Sequence, residues 1–184
     1  MYLHKILLLL PLVGLISCAS NPVGSTSVGQ KFEAGTIRVG GDLGYSSNGT
    51  GIMNGDAVHL DGNVGYFVTD QIEVGAQFNI EDVNSKGGVD REATYFAFHG
   101  RAYGTTVGPY RTFAEAAFGY QMGTVTAGSA EADILGSVSV AFGLMQFITN
   151  DLAVELSLEE TYIGFDGPGD GFGLAANLGL SWYL

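Results

Sequence analysis

The chain has 184 residues, a formal net charge of −12 and a single cysteine. The acidic surplus argues against nucleic acid as a partner, because phosphates repel such a surface, and one thiol excludes a disulfide framework or a multi-cysteine metal site. Hydrophobic residues make up 46% and charged residues only 14%, the reverse of a disordered chain, and the 4 prolines leave long strands uninterrupted.

The first segment, MYLHKILLLLPLVGLISCAS, sets Lys5 before the apolar run 6–16. A basic start followed by an apolar core too short to span a bilayer as a helix is a secretory signal, so residues 1–17 are expected to be removed. Leu15-Ile16-Ser17-Cys18 resembles the bacterial lipobox, which implies that Cys18 takes lipid and becomes the mature N-terminus. Ordinary cleavage after Ala19 or Ser20 is the alternative, since small residues suit it too. Ala19 stands where an aspartate would favour inner-membrane retention, as that resemblance implies. Residues 18–33, rich in Ser, Gly and Asn, read as a flexible periplasmic lead-in.

From Ala34 onward one theme repeats: segments of alternating polarity separated by turn residues. The expected strands are 34–46, 56–68, 71–82, 92–103, 111–123, 132–146, 151–163 and 171–184. Eight strands of similar length predict an all-β, antiparallel up-and-down barrel over residues 34–184, because closure removes exposed edges. The connections alternate in character. Thr69-Asp70 and Thr149-Asn150 are very short, and the link around 104–110 is somewhat longer. Segments 47–55, 83–91, 124–131 and 164–170 are longer and rich in Gly, Asn, Asp or Ser. Short turns at one end and longer loops at the other match outer-membrane barrels and would place both barrel termini in the periplasm.

Parity divides each strand into two faces. One carries Val39, Leu43, Leu60, Ile72, Val74, Phe78, Phe96, Phe118, Phe142, Leu156 and Leu178 among others. The opposite face carries Arg38, Asp42, His59, Asp61, Asn63, Glu73, Gln77, Glu81, His99, Arg101, Glu115, Gln121, Asp133, Glu155, Glu159 and Asn177, interspersed with glycines such as Gly44, Gly65 and Gly75. Alternation alone does not say which face is wet. Strand length suits a membrane span. Aromatic residues fall near the stripe ends: Tyr45, Tyr120, Tyr162 and Phe172 at the loop end, and Tyr66, Phe142 and Trp182 at the turn end. Only Lys31 and Lys86 remain after the signal, whereas a soluble exterior would carry more lysine. These features turn the apolar face toward outer-membrane lipid. The alternative is a lipid-tethered, soluble, lipocalin-like ligand carrier whose apolar face lines a cavity, although the first strand shows no Gly-x-Trp.

The chain ends NLGLSWYL, in which Asn177, Gly179, Trp182 and Leu184 follow the order polar, glycine, large apolar, apolar. This ending looks like the β-signal read by barrel-assembly machinery, although clients more often end in Phe. Together with GYFVTDQIEVGAQF at 65–78, residues 34–184 resemble small outer-membrane barrels of the OmpX/OmpA-like superfamily. The resemblance implies a transmembrane barrel assembled by that machinery. It does not single out a function, since the superfamily includes adhesins and envelope-stability proteins.

Arg38, Asp42, Asp61, Glu73, Arg101, Glu115, Asp133 and Glu155 share the expected lumen face, where buried charges must pair or meet water. They are expected to form a structural polar network, with acids outnumbering arginines so that some carboxylates hold protons or waters. An interior this narrow is filled by side chains, which weighs against an open pore. His59 and His99 lack the His-x-Ser pattern of a lipid A deacylase, and nothing singles out Ser137, Ser139, Ser157 or Ser181. The two histidines are expected as hydrogen-bonded lumen groups, not as a metal pair. Asp166-Gly-Pro-Gly-Asp-Gly171 is a tight loop lacking the further oxygen ligands of a calcium site. Glu81, Asp82, Asp90, Glu92, Glu131, Asp133, Glu159, Glu160, Asp166 and Asp170 form an acidic rim suited to bridging divalent cations to lipid phosphates. The expected role is non-catalytic, structural or surface-interacting, without a cofactor; the alternative is a narrow solute or ion pore.

Overall fold

The last strand carries the period-2 signal in its cleanest form: from Gly171 to Tyr183 buried and exposed residues alternate without a break. Such a segment satisfies its backbone only by pairing on both sides, and in lipid only a closed sheet achieves that. The computed structural model describes residues 32–50, 55–84, 90–122, 124–127, 130–165 and 171–184, with side chains over 32–46, 57–80, 94–120, 136–164 and 171–184. The strands are β1 (Ile37–Thr50), β2 (Gly55–Phe67), β3 (Ile72–Asn84), β4 (Asp90–Val107), β5 (Tyr110–Met122), β6 (Thr124–Ala127), β7 (Ala130–Phe147), β8 (Leu152–Phe165) and β9 (Gly171–Tyr183).

Each long strand pairs antiparallel with its chain neighbours, β9 returns to β1, and the β3–β4 ladder closes the ring. The four-residue β6 pairs with β7 and touches β4 at Arg91↔Val125. These are the neighbours of β5, so β6 prolongs that stave and the barrel has eight. The architecture is an eight-stranded antiparallel transmembrane β-barrel. A 13-residue strand such as β3 at ~3.3 Å per residue is ~43 Å long; tilted by ~40° it still stands ~33 Å tall, more than the ~25 Å apolar band it must cross.

Two short connections share one construction. Thr69 Oγ1 accepts the N–H groups of Gln71 (3.2 Å) and Ile72 (3.0 Å), and Thr149 Oγ1 accepts those of Asp151 (3.3 Å) and Leu152 (3.1 Å). A threonine hydroxyl thus replaces the backbone partner that a tight turn removes. The third connection is tighter than the sequence suggests: Val107 pairs with Tyr110, leaving only Gly108-Pro109 as the turn. Gly108 makes this possible with φ of 62°, which a side chain would resist. At the other end several strands run past their expected limits, β1 to Thr50 and β4 from Asp90. Hydrogen-bond ladders continue there after the apolar alternation has faded. The signal segment, Cys18, the Asp166–Asp170 loop and most of the acidic rim lie outside the described residues, as do the side chains of Asp133, Glu81 and Gln121.

The apolar parity faces outward on every stave. Leu43, Leu60, Phe118, Leu158 and Leu178 are each about 60% exposed in the isolated chain, with Ile72, Val74 and Phe78 close behind. A soluble protein does not leave a continuous apolar belt of this kind in water. The carrier alternative, which needs that face inward, is therefore overturned. Tyr45, Tyr66, Tyr120, Tyr162, Phe172 and Trp182 also face outward. Phe142 departs from the expected girdle: it pairs with Ala114 and Leu158, well inside the band. Phenylalanine has no polar group to hold it at the membrane surface.

Candidate functional site

The inward side chains form three tiers along the barrel axis. The lowest, at the short-turn end, is apolar. Phe67, Tyr103, Phe113, Met145 and Tyr183 close around Phe32, which is only 2% exposed. The Phe32 ring centroid lies 4.5 Å from that of Phe67, 4.6 Å from Tyr103 and 5.0 Å from Tyr183. The Arg111 guanidinium sits 4.3 Å from the Phe32 centroid, a distance at which a cation is attracted to the ring face. Gly35, with φ of 99°, turns the chain so that its N–H bonds the Phe67 carbonyl (2.8 Å), and the preceding Phe32 enters the lumen. Phe32 therefore does not belong to a flexible lead-in; it is an aromatic plug.

The second tier is a lattice of ions. The Arg38 guanidinium donates to Glu73 through Nε (3.0 Å) and Nη2 (2.8 Å), and through Nη1 to Asn63 Oδ1 (2.7 Å) and Ser181 Oγ (3.2 Å). Glu73 also accepts the Tyr103 hydroxyl at 2.6 Å and has His99 Nε2 at 3.1 Å. Arg101 donates to Glu115 (2.6 Å) and Glu155 (2.6 Å), and Tyr183 donates to Glu155 (3.3 Å). Arg101 also lies 4.2 Å from the Phe113 ring centroid. The two tyrosines and the Phe113 ring thus bind the plug to the lattice above it. Charges taken out of water need such dense pairing.

Glycines make the space. A Cβ on Gly65 would collide with the Glu73 carboxylate, and one on Gly143 with the Phe113 ring. On Gly40 it would come within 2.6 Å of Ser181 Oγ and 2.7 Å of Asn63 Oδ1. The many inward glycines are therefore sockets for long side chains from neighbouring staves.

The third tier lies toward the loop end. Asp42 and Asp61 are direct partners in the β1–β2 ladder, and His59 Nε2 lies 3.4 Å from Asp61 Oδ2 and 3.1 Å from Asn177 Oδ1. Asn177 Nδ2 donates to Glu159 Oε2 (3.0 Å). Of the eight network residues expected from sequence, the structure brings Arg38, Glu73, Arg101, Glu115 and Glu155 into one lattice. Asp42 and Asp61 stand apart with His59. The two histidines sit in different tiers, His99 on Glu73 and His59 on Asp61 and Asn177, in keeping with hydrogen-bonded lumen groups. In the C-terminal signature Asn177 is buried, Gly179 lies against Asp42 (Cβ position 3.0 Å from its Cβ), and Trp182 and Leu184 face outward. The Leu184 N–H and carbonyl both pair with Ile37, at 2.8 and 3.1 Å, which ties the chain end to the first strand.

Sequence reasoning missed the plug. The signal was nevertheless present: Phe67, Tyr103, Phe113, Met145 and Tyr183 have the inward parity of Asn63, Arg101, Glu115, Gly143 and Ser181 on the same strands. An apolar residue on the polar parity at the same end of five strands is a plug in outline.

No protein-family model matches the sequence, and no curated protein matches it significantly. Solved structures do. Neisserial surface protein A superposes with a TM-score of 0.69 at 12% identity, over 80% of this chain and 98% of that one. The outer membrane protein OprG from Pseudomonas aeruginosa gives 0.54 at 13% identity, over 84% and 98%. A de novo designed transmembrane β-barrel gives 0.56 at 12% identity, over 84% and 99%. The fold is that of the small outer-membrane β-barrels. That a designed barrel matches alongside natural ones shows that the likeness reports architecture and not a shared activity.

Proposed function

We propose that the chain is a sealed, non-catalytic barrel of a bacterial outer membrane with an envelope-structural or surface-interaction role. The filled lumen carries this reading. Plug and ion lattice together occupy the short-turn end, and a solute path would have to dismantle Arg38–Glu73, Arg101–Glu155 and the Phe32 stack at once. Such a barrel acts through its outer wall and its ends. A neisserial surface protein shares the fold, in keeping with exposure at the cell surface. Purified protein in planar bilayers is expected to give no channel events under varied voltage. Steady single-channel openings would replace this reading with the narrow pore.

Both termini belong on the periplasmic side in this proposal, with Asn177, Gly179, Trp182 and Leu184 read by the assembly machinery. Cys18 is then a lipid anchor in the inner leaflet. The 14 residues from Cys18 to Phe32 reach at most ~50 Å when extended, ample to join an acyl anchor to the plugged end. Palmitate labelling that persists in Cys18→Ala would remove Cys18 as the acceptor.

A further inference from the structure

We propose that the lumen holds one divalent transition-metal ion of the zinc class, bound by Asp42, His59 and Asp61. The sheet brings these groups together. Asp42 and Asp61 are ladder partners, and His59 lies two residues from Asp61 on the same face. One ligand atom from each lies within 4.8 Å of the others. His59 Nε2 and Asp61 Oδ2 are 3.4 Å apart; two donors of a tetrahedral site with bonds of ~2.0–2.1 Å stand ~3.3 Å apart. Asn177 Oδ1, 3.1 Å from the same Nε2, is placed to supply a fourth donor from β9, so the ion would tie β1, β2 and β9 at the seam where the chain ends meet.

Two further observations point to a cation. Asp42 Oδ1 and Asp61 Oδ1 are both shielded from solvent and have no hydrogen-bond partner, beside an imidazole that is only 6% exposed. Buried carboxylate oxygens without a partner are costly. Arg38 and Arg101 are engaged one tier below, with Glu73, Glu115 and Glu155. Bound as ligands, the two facing carboxylates would place a charge of about −2 around the ion, which a divalent ion cancels where the dielectric is low. The space has been cleared as well: a Cβ on Gly44, the ladder partner of His59, would collide with His59 Nε2 and Asn177 Oδ1. One nitrogen with carboxylate oxygens suits zinc and its neighbours, while calcium and magnesium favour oxygen alone.

The test uses the untagged, folded protein in detergent micelles, stripped with chelator and titrated with zinc by calorimetry. One equivalent is expected to bind, and the heat-induced unfolding band shift on gels is expected to move to higher temperature with zinc. His59→Gln and Asp61→Asn, each checked for folding by the same band shift, are expected to weaken binding at least 100-fold and to abolish the zinc-dependent protection. The site is overturned if the parent protein binds no stoichiometric zinc, the outcome expected if Asp42 and Asp61 merely share a proton. It is equally overturned if both folded variants bind as the parent does, which would move the metal to acidic residues elsewhere.

Discussion

Glu73→Gln tests the ion lattice at its most committed point. Glu73 and Arg38 are both fully buried, and the carboxylate is where the Arg38 guanidinium, the Tyr103 hydroxyl and the His99 ring converge. The amide keeps the shape of the side chain and can still accept from Tyr103. It removes the charge, leaving a buried guanidinium with its main partner neutralised, which costs ~3–5 kcal/mol. That corresponds to a fall of at least ~100-fold in the folding equilibrium constant. Adding Arg38→Met removes the stranded cation, and the double variant should regain at least ~2 kcal/mol over the sum of the single changes. Unfolding in urea from lipid vesicles gives the numbers. The chain has a single tryptophan, and Trp182 faces outward from the barrel wall, so its emission shifts to the red as the barrel leaves the bilayer. A loss below ~0.5 kcal/mol in Glu73→Gln, or strictly additive effects in the pair, would refute the lattice as a coupled unit.

Gly65→Ala places a methyl into the Glu73 carboxylate and is expected to destabilise by ~1–3 kcal/mol, the usual range for overpacking, in the same urea assay. Leu178→Arg puts a charge mid-band, on a side chain that is 60% exposed on the outer face. It should cost ~2–4 kcal/mol in bilayers, against ~0–1 kcal/mol for Leu184→Arg at the band edge; equal effects would show that lipid does not cover the belt. Phe32→Ala removes the centre of the aromatic stack and is expected to cost ~3–5 kcal/mol, less if the neighbouring rings collapse inward. Unchanged stability on deleting residues 1–33 would show that the plug contributes nothing.

The wall was legible because it depends on one local property. Period-2 polarity assigns each side chain a face, and every described network residue, from Arg38 to Glu155, sits on the face its parity predicts. The grouping of those residues was not legible. Glu73 is the ladder partner of Arg101, yet its ion pair at 2.8 Å is with Arg38, two staves away on β1. Contacts of that kind depend on strand stagger and lumen curvature, which polarity does not encode. Asp42 opposite Asp61 likewise emerges only from the β1–β2 register. Phe32 was hidden for another reason: it precedes the first strand, in a stretch whose Ser, Gly and Asn content signals a loop, and it is buried because Gly35 redirects the chain.

The placement of charge in the lumen also bears on how the barrel finds its register. A buried ion pair contributes little net stability over an apolar pair of the same shape, so the Arg38 and Arg101 clusters are poorly explained as mere reinforcement. Their effect on alternatives is larger. Because the side-chain period is 2, slipping β4 by one residue would turn Arg101 and His99 toward lipid and bring Phe96 and Phe98 inside. A charged side chain turned to lipid costs up to ~2–4 kcal/mol at the midplane and less toward the interfaces, and the Gly75 socket on β3 would no longer receive His99. The lattice therefore penalises a one-residue slip of β4. A path through the short-turn end would break Arg38–Glu73 and Arg101–Glu155, the same contacts that bear on register. Register and the proposed sealing would then follow from one and the same packing.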